Sequence, residues 1–199
     1  MLEAEKIITV YGASSAQIDA EVLEQARLCG KFLASEGVTL MCGGGRTGVM
    51  GAAIDGALEA GGRAVGVLPR FMIDRGWAHP ALTERIITEN MHERKETMLR
   101  CAAAVIAFPG GIGTFEEVLE AMTWRQLGLW HGQIVMANIG GYYDPLLAQL
   151  QCAVDGHYMN SDHKELFTTA ASAGQAVAAA LRPDDHRPFT QKIKDAPGA

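Results

Sequence analysis

Two groups of residues in this chain have types and spacing suited to chemistry on an anionic ligand. The first is Pro109-Gly110-Gly111-Ile112-Gly113-Thr114-Phe115-Glu116-Glu117. A glycine-rich turn between a strand and a helix exposes backbone N–H groups beside the positive end of the helix dipole, so a phosphate is its natural occupant. Two carboxylates follow it directly, and a carboxylate beside a bound phosphate ester can act on that ligand. The second is Met91-His92-Glu93-Arg94-Lys95, whose cations stand near a helix start, just before the strand that feeds the Pro109 turn.

Each group also has a plainer reading. Thr114-x-x-Glu117 has capping-box spacing, with Thr114 as the cap and Glu117 reaching back to it. A cap alone does not need Gly110, Gly111 and Gly113, which together say that backbone must approach something closely. The helix from Met91 to Cys101 can be read as an amphipathic helix with a solvated charged face, in which Glu96 and Arg100 make an ordinary i,i+4 pair.

Two more turns belong to the same pattern. Gly43-Gly44-Gly45-Arg46-Thr47-Gly48 fits G-x-G-x-x-G between a strand and a helix. A dinucleotide site also needs an acidic residue near the end of the next strand, but Ala64–Leu68 runs into Pro69-Arg70 without one. Gly44 and Gly45 then offer backbone to part of a nucleotide, or simply form a tight packing turn. In Gly12-Ala13-Ser14-Ser15, Ser14 or Ser15 can be a helix N-cap or a donor to phosphate or sugar.

These turns require strands before them and helices behind them, and apolar periodicity supplies both. Strands are expected at Lys6–Tyr11, Val38–Cys42, Ala64–Leu68, Ala103–Phe108 and Gln133–Asn138, with shorter ones at Leu82–Thr88 and Leu166–Thr169. Helical spacing runs through Ile18, Val22, Ala26, Cys29 and Leu33. Further helices are expected from about Val49 to Ala60, at Met91–Cys101, through Val118–Trp124, at Pro145–Val154 and at Ala173–Leu181. Pro69–Pro80 reads as irregular. Alternating elements with continuously apolar strands imply an α/β fold: a doubly wound, Rossmann-like, mainly parallel sheet with helices on both faces. Residues 1–182 read as one nucleotide-binding domain and the polar stretch 183–199 as a disordered tail.

Composition narrows the classes. The 199 residues are 48% hydrophobic with a net charge of -6, which suits a packed core and disfavours a nucleic-acid partner. No apolar run is long enough to span a bilayer, and the first six residues lack the apolar core of a signal peptide. Cys29, Cys42, Cys101 and Cys152 form no Cys-x-x-Cys pair and read as buried free thiols in a reducing cytoplasm. The six histidines show no metal spacing, so neither a metal nor a cofactor is expected. Trp124, Leu127, Leu129 and Trp130 are apolar enough for either a core or a subunit interface.

Taken together, these motifs resemble the LOG ("lonely guy") family, the cytokinin riboside 5'-monophosphate phosphoribohydrolases, whose members were often mislabelled lysine decarboxylases. The family's P-G-G-x-G-T-x-x-E matches Pro109 to Glu117. Its M-x-x-R-K matches Met91, Arg94 and Lys95, and its G-G-G-x-x-G-x-M-G matches Gly43 to Gly51. The resemblance spans about Lys6 to Leu181. It implies a Rossmann-like homodimer that cleaves the N-glycosidic bond of AMP or an N6-substituted cytokinin nucleotide, releasing free base and ribose 5-phosphate. It implies Arg94 and Glu117 as the catalytic pair, with Lys95, Gly111, Ile112, Gly113, Thr114 and Thr123 at the nucleotide. Ser14, Gly44, Gly45, Met91 and Gly110 complete the expected substrate-binding set. Molybdenum-cofactor carrier proteins have a similar phosphate loop, so a nucleotide or cofactor carrier is the alternative.

Overall fold

The structure is a computed structural model that describes residues 6–183. Seven strands form one all-parallel sheet in the order β4-β3-β2-β1-β5-β6-β7. They are β1 (Ile7–Tyr11), β2 (Thr39–Cys42), β3 (Ala64–Pro69), β4 (Glu84–Thr88), β5 (Ala104–Ala107), β6 (Gln133–Ala137) and β7 (Thr168–Ala170). The helices are α1 (Ala20–Ser35), α2 (Gly48–Glu59), α3 (Arg70–Asp74), α4 (Met91–Arg100), α5 (Ile112–Leu127), α6 (Asp144–Asp155) and α7 (Ala173–Ala180).

Both faces of the sheet are covered, which is why its central strands are buried and almost wholly apolar. In β1, Ile8 and Val10 pack with α1, α2 and α7. The alternating residue Tyr11 joins the other core with α4 and α5. Thr9, on that second face, is fully buried and donates its hydroxyl to Met98 O at 2.8 Å. Edge strand β4 is exposed at three of its five positions, so its sequence signal is shorter and more polar.

Several local expectations need correction. The irregular stretch Pro69–Pro80 contains helix α3, whose start follows the φ-restricted Pro69. Leu166 ends a 3-10 turn (Ser161–Leu166) instead of opening a strand, and β7 begins at Thr168. Neither Ser14 nor Ser15 caps α1, because the helix begins later and Asp19 accepts from the Glu21 N–H at 2.8 Å. Cys101 and Cys152 are exposed, while Cys29 and Cys42 are buried, and all four are free. The tail expected to be disordered from residue 183 lies, beyond that residue, outside the described residues.

Candidate active site

Strand order brings the two glycine-rich turns and the Gly12–Ser15 turn together. The carboxyl ends of β5, β1 and β2 are consecutive, and hydrogen bonds through Ala13 join their turns. Ala13 N–H donates to Pro109 O at 3.1 Å, and Ala13 O accepts from Val49 N–H at 2.8 Å. Thr47 adds a hydroxyl bond to Ser14 O at 2.7 Å. Between the turns lies a cavity of about 650 Å³, which falls in the range typical of small-molecule sites.

The Pro109 turn is corrected in one respect. Helix α5 begins at Ile112 with Gly111 as N-cap, and no side chain caps it. Thr114 therefore sits inside the first turn, and the expected capping box does not form. The helix starts earlier because Gly110 and Gly111 let the chain turn directly off Pro109. The first N–H groups of α5 are left without intrahelical partners at the cavity rim. Gly111, Ile112, Gly113, Thr114 and Glu117 all line the cavity. The turn is braced from behind by residues that the sequence reading did not single out. Tyr143 is fully buried and donates to Phe108 O at 2.7 Å, and Tyr142 donates to Gly110 O at 2.5 Å. The adjacent Tyr-Tyr after a strand was the available signal.

Glu117 and Arg94 both face this cavity. Burial pushes the Glu117 carboxyl up to about 7; the Arg94 charge opposes that shift, and Glu116 adds to it. Arg94 is 7% exposed. Its Nε donates to Val67 O at 3.0 Å, and an Nη lies 3.9 Å from Met91 Sδ. Its other Nη lies only 2.0 Å from where a Cβ on Gly43 would stand, so Gly43 is part of the guanidinium's seat. Arg94 is thus fixed at the β2–β3 end of the cavity. Among the described residues it makes no direct hydrogen bond to Glu117.

Ser14, Gly45, Arg46 and Thr47 line the same space, with Tyr11, Met50, Leu68, Met72 and Trp77 completing much of the wall. Five expected contacts fall elsewhere. Lys95 is buried and turned toward α5, with Nζ 2.5 Å from Glu116 Oε1 and 3.3 Å from Glu120 Oε1. Burial opposes its charge, but these two carboxylates outweigh that and raise its pKa. Thr123 is on the exposed side of α5, bonded to Leu119 O. Met91 touches Arg94, not the cavity wall. Gly44 lies beneath the turn against Leu68, and Gly110 supports the loop. Among the described residues no cluster of three His, Cys, Asp or Glu side chains could hold a metal, and no helix is long and apolar enough to cross a membrane.

A doubly wound sheet with an uncapped helix start, a recessed carboxylate and a buried arginine around one cavity defines a Rossmann-like α/β protein. Comparison with known proteins narrows this class. Residues 50–180 match the family model described as "Possible lysine decarboxylase". The chain is 35% identical over 170 residues to cytokinin riboside 5'-monophosphate phosphoribohydrolase LOG of Oryza sativa subsp. japonica, covering 85% of this chain and 70% of that protein. It is 32% identical over 188 residues to LOG1 of Arabidopsis thaliana, which bears the same enzyme name, covering 94% and 87%. Among solved structures it is similar to the molybdenum cofactor carrier protein of Chlamydomonas reinhardtii, with 25% identity, TM-score 0.68, and coverage of 97% of this chain and all of that one. The molybdenum cofactor binding protein of Rippkaea orientalis has the same identity and TM-score over 88% and 95%. The chain belongs to the LOG family of phosphoribohydrolases.

Proposed function

We propose that this enzyme hydrolyses the N-glycosidic bond of AMP and of N6-substituted (cytokinin) nucleoside 5'-monophosphates, releasing the free base and ribose 5-phosphate. The observation that carries this reading is the pairing of Glu117, held near pH 7 by burial, with Arg94 across a cavity that opens on the start of α5.

In this reading the 5'-phosphate binds the N–H groups of Gly111 to Thr114, with Ser14 and Gly45 contributing from the neighbouring turns. The ribose lies over Glu117. As the C1'–N bond breaks, its electron pair leaves with the base and the sugar acquires oxocarbenium character. The Glu117 carboxylate stabilises that charge and takes a proton from the water whose oxygen bonds to C1'. Arg94 does not give up its proton near neutral pH. Its seat at the β2–β3 end suits it to stabilise negative charge on the departing base. Lys95 acts at one remove, neutralising Glu116 and Glu120 beside Glu117.

The likeness to cofactor carriers supports a second reading, in which the cavity holds a phosphorylated ligand without cleaving it. AMP incubated with wild-type and Glu117→Ala protein, with adenine and ribose 5-phosphate quantified, separates the two. Adenine from wild type alone supports hydrolysis at Glu117. AMP bound but intact, with no adenine from the N6-isopentenyl analogue either, supports the carrier.

A homodimer is also proposed, on narrower grounds than the sequence implied. Trp130 is buried, with its indole N–H on Ala102 O, and Trp124 is partly buried under the Arg100 guanidinium. Leu127 and Leu129 remain 45% and 60% exposed. Sedimentation as a monomer at micromolar concentration would remove this proposal. The four free thiols suit a reducing, cytoplasmic setting.

A further inference from the structure

The end of the cavity where the proposed hydrolysis places the base has a wall with an attachment of its own. Its walls follow the sheet edge from the β5 turn, past β1 and β2, to the end of β3. That is three strand spacings, about 14 Å, enough for phosphate, ribose and base in line. The β5 end presents backbone N–H groups. The β3 end presents Met50, Leu68, Met72 and Trp77. Met72 and Trp77 ride on a strap formed by α3 and the residues after it. Within it the Arg75 guanidinium lies over both the Phe71 and Trp77 rings, at 5.4 and 5.1 Å.

This strap is fastened to the glycine turn after β2. Gly45 and Ala78 form an antiparallel bridge. Arg46 N–H donates to Trp77 O at 3.1 Å, and His79 N–H donates to Gly44 O at 2.8 Å. His79, which does not line the cavity, is 7% exposed. Its Nδ1 accepts from Ala81 N–H at 3.2 Å. Its Nε2 therefore carries the proton and donates to Asp55 Oδ1 at 3.1 Å, on α2. Asp55 is held in turn by Arg27 of α1 at 3.5 Å. A buried imidazole with both nitrogens engaged thus pins the strap to the helical layer.

We infer that His79 is a positioning residue: through its bond to Asp55 it sets the place of Met72 and Trp77, the wall that meets the far edge of the base. The inference rests on the nucleotide reading above. A purine placed with its sugar over Glu117 points its far edge at this wall, and an apolar N6 substituent there is removed from water. The wall then favours an isoprenoid N6 group over the bare amine.

The test uses the full chain and two probes, AMP and N6-isopentenyl-AMP, with affinities measured by calorimetry. Wild type is expected to bind the isopentenyl nucleotide more tightly. Trp77→Ala lowers that preference about tenfold. His79→Asn keeps an acceptor for Ala81 N–H but cannot reach Asp55, and it lowers the preference in the same direction by a few-fold. Asp55→Ala, at a half-exposed position, does the same if the histidine variant fails to fold. Because His79 acts through Trp77, the Trp77→Ala/His79→Asn double variant matches Trp77→Ala alone. Equal affinity of wild type for both probes, an unchanged preference in Trp77→Ala, or a His79 variant that weakens both probes equally would overturn the inference. Binding without cleavage defeats the hydrolase reading and leaves the affinity ratio still informative. Binding of neither probe defeats both.

Discussion

The two glycine-rich turns look alike in sequence and serve opposite ends. In the turn after β2 the missing side chains are replaced by the protein itself. A Cβ on Gly43 would meet the Arg94 guanidinium at 2.0 Å, and one on Gly48 would meet Ala13 O at 2.2 Å at a φ of +66°. In the turn after β5, a Cβ on Gly111 or Gly113 would meet nothing within 4 Å. The folded chain does not need glycine at those two positions. The room they leave opens onto the cavity, where a ligand backed by the N–H groups of α5 would stand. The turn after β2 is glycine-rich for packing, whereas in the turn after β5 packing requires only Gly110, whose Cβ would meet Thr114 Oγ1 at 2.2 Å.

That contrast can be broken by substitution. The largest effect is expected from Gly43→Ala. The clashing atom is the far end of a side chain, so the fold should survive while the guanidinium is displaced. Turnover of AMP should fall by about 10²–10³-fold, the range for loss of one preorganised charge donor, with a small change in Tm. Full activity would show that Arg94 need not sit where it does.

Gly48→Ala should do the reverse. Its Cβ meets backbone at a left-handed φ, so it should cost about 2–3 kcal/mol of stability, read as a lower midpoint in urea. Gly113→Ala sharpens the other side of the contrast. It is exposed in the first turn of α5, and alanine is the better helix former by about 0.5–1 kcal/mol. Tm should rise while affinity for AMP or inorganic phosphate falls about tenfold, because a methyl group intrudes beside the phosphate site. Lower Tm with unchanged affinity would mean that this turn too is glycine-rich for packing.

A subtler effect concerns pH. With the Glu117 carboxyl pushed up to about 7, kcat/KM should rise with pH through that value, since the ionised form is the reactive one. Arg94→Met should move this limb to higher pH, and Glu116→Gln to lower pH. Stability follows the opposite course. Free glutamate titrates near 4.3, so between there and about 7 the native state holds the extra proton and stability falls as pH rises. Glu117→Gln should remove that fall, with Tm higher than wild type at pH 8 and similar at pH 5. The smallest effect is expected from Tyr142→Phe, which loses one hydrogen bond to Gly110 O. It should weaken phosphate affinity by a few-fold, corresponding to about 1 kcal/mol.

The sheet, its helices and the three turns were legible because central parallel strands are almost wholly apolar and run into glycine-containing turns. Pattern failed where local chemistry was ambiguous. Thr114-x-x-Glu117 has the spacing of a cap, yet the glycines before it let α5 begin earlier, and nothing local distinguishes the two outcomes. Lys95 shares a motif with Arg94, but adjacent residues on a helix point about 100° apart. One reaches the cavity, and the other reaches Glu116 and Glu120.

The sequence alone determined that a glycine-rich turn followed by carboxylates stands at the edge of a parallel sheet, because that information is local to strand, turn and helix. It also carried the family through three spaced motifs. Only the tertiary structure decided which glycines make room for protein and which for a ligand, and which cation faces Glu117. It also decided that the segment after β3 closes over the far end of the cavity through His79 and Asp55. Each of those depends on residues distant in the chain that strand order and helix packing bring together, and no local pattern encodes such meetings.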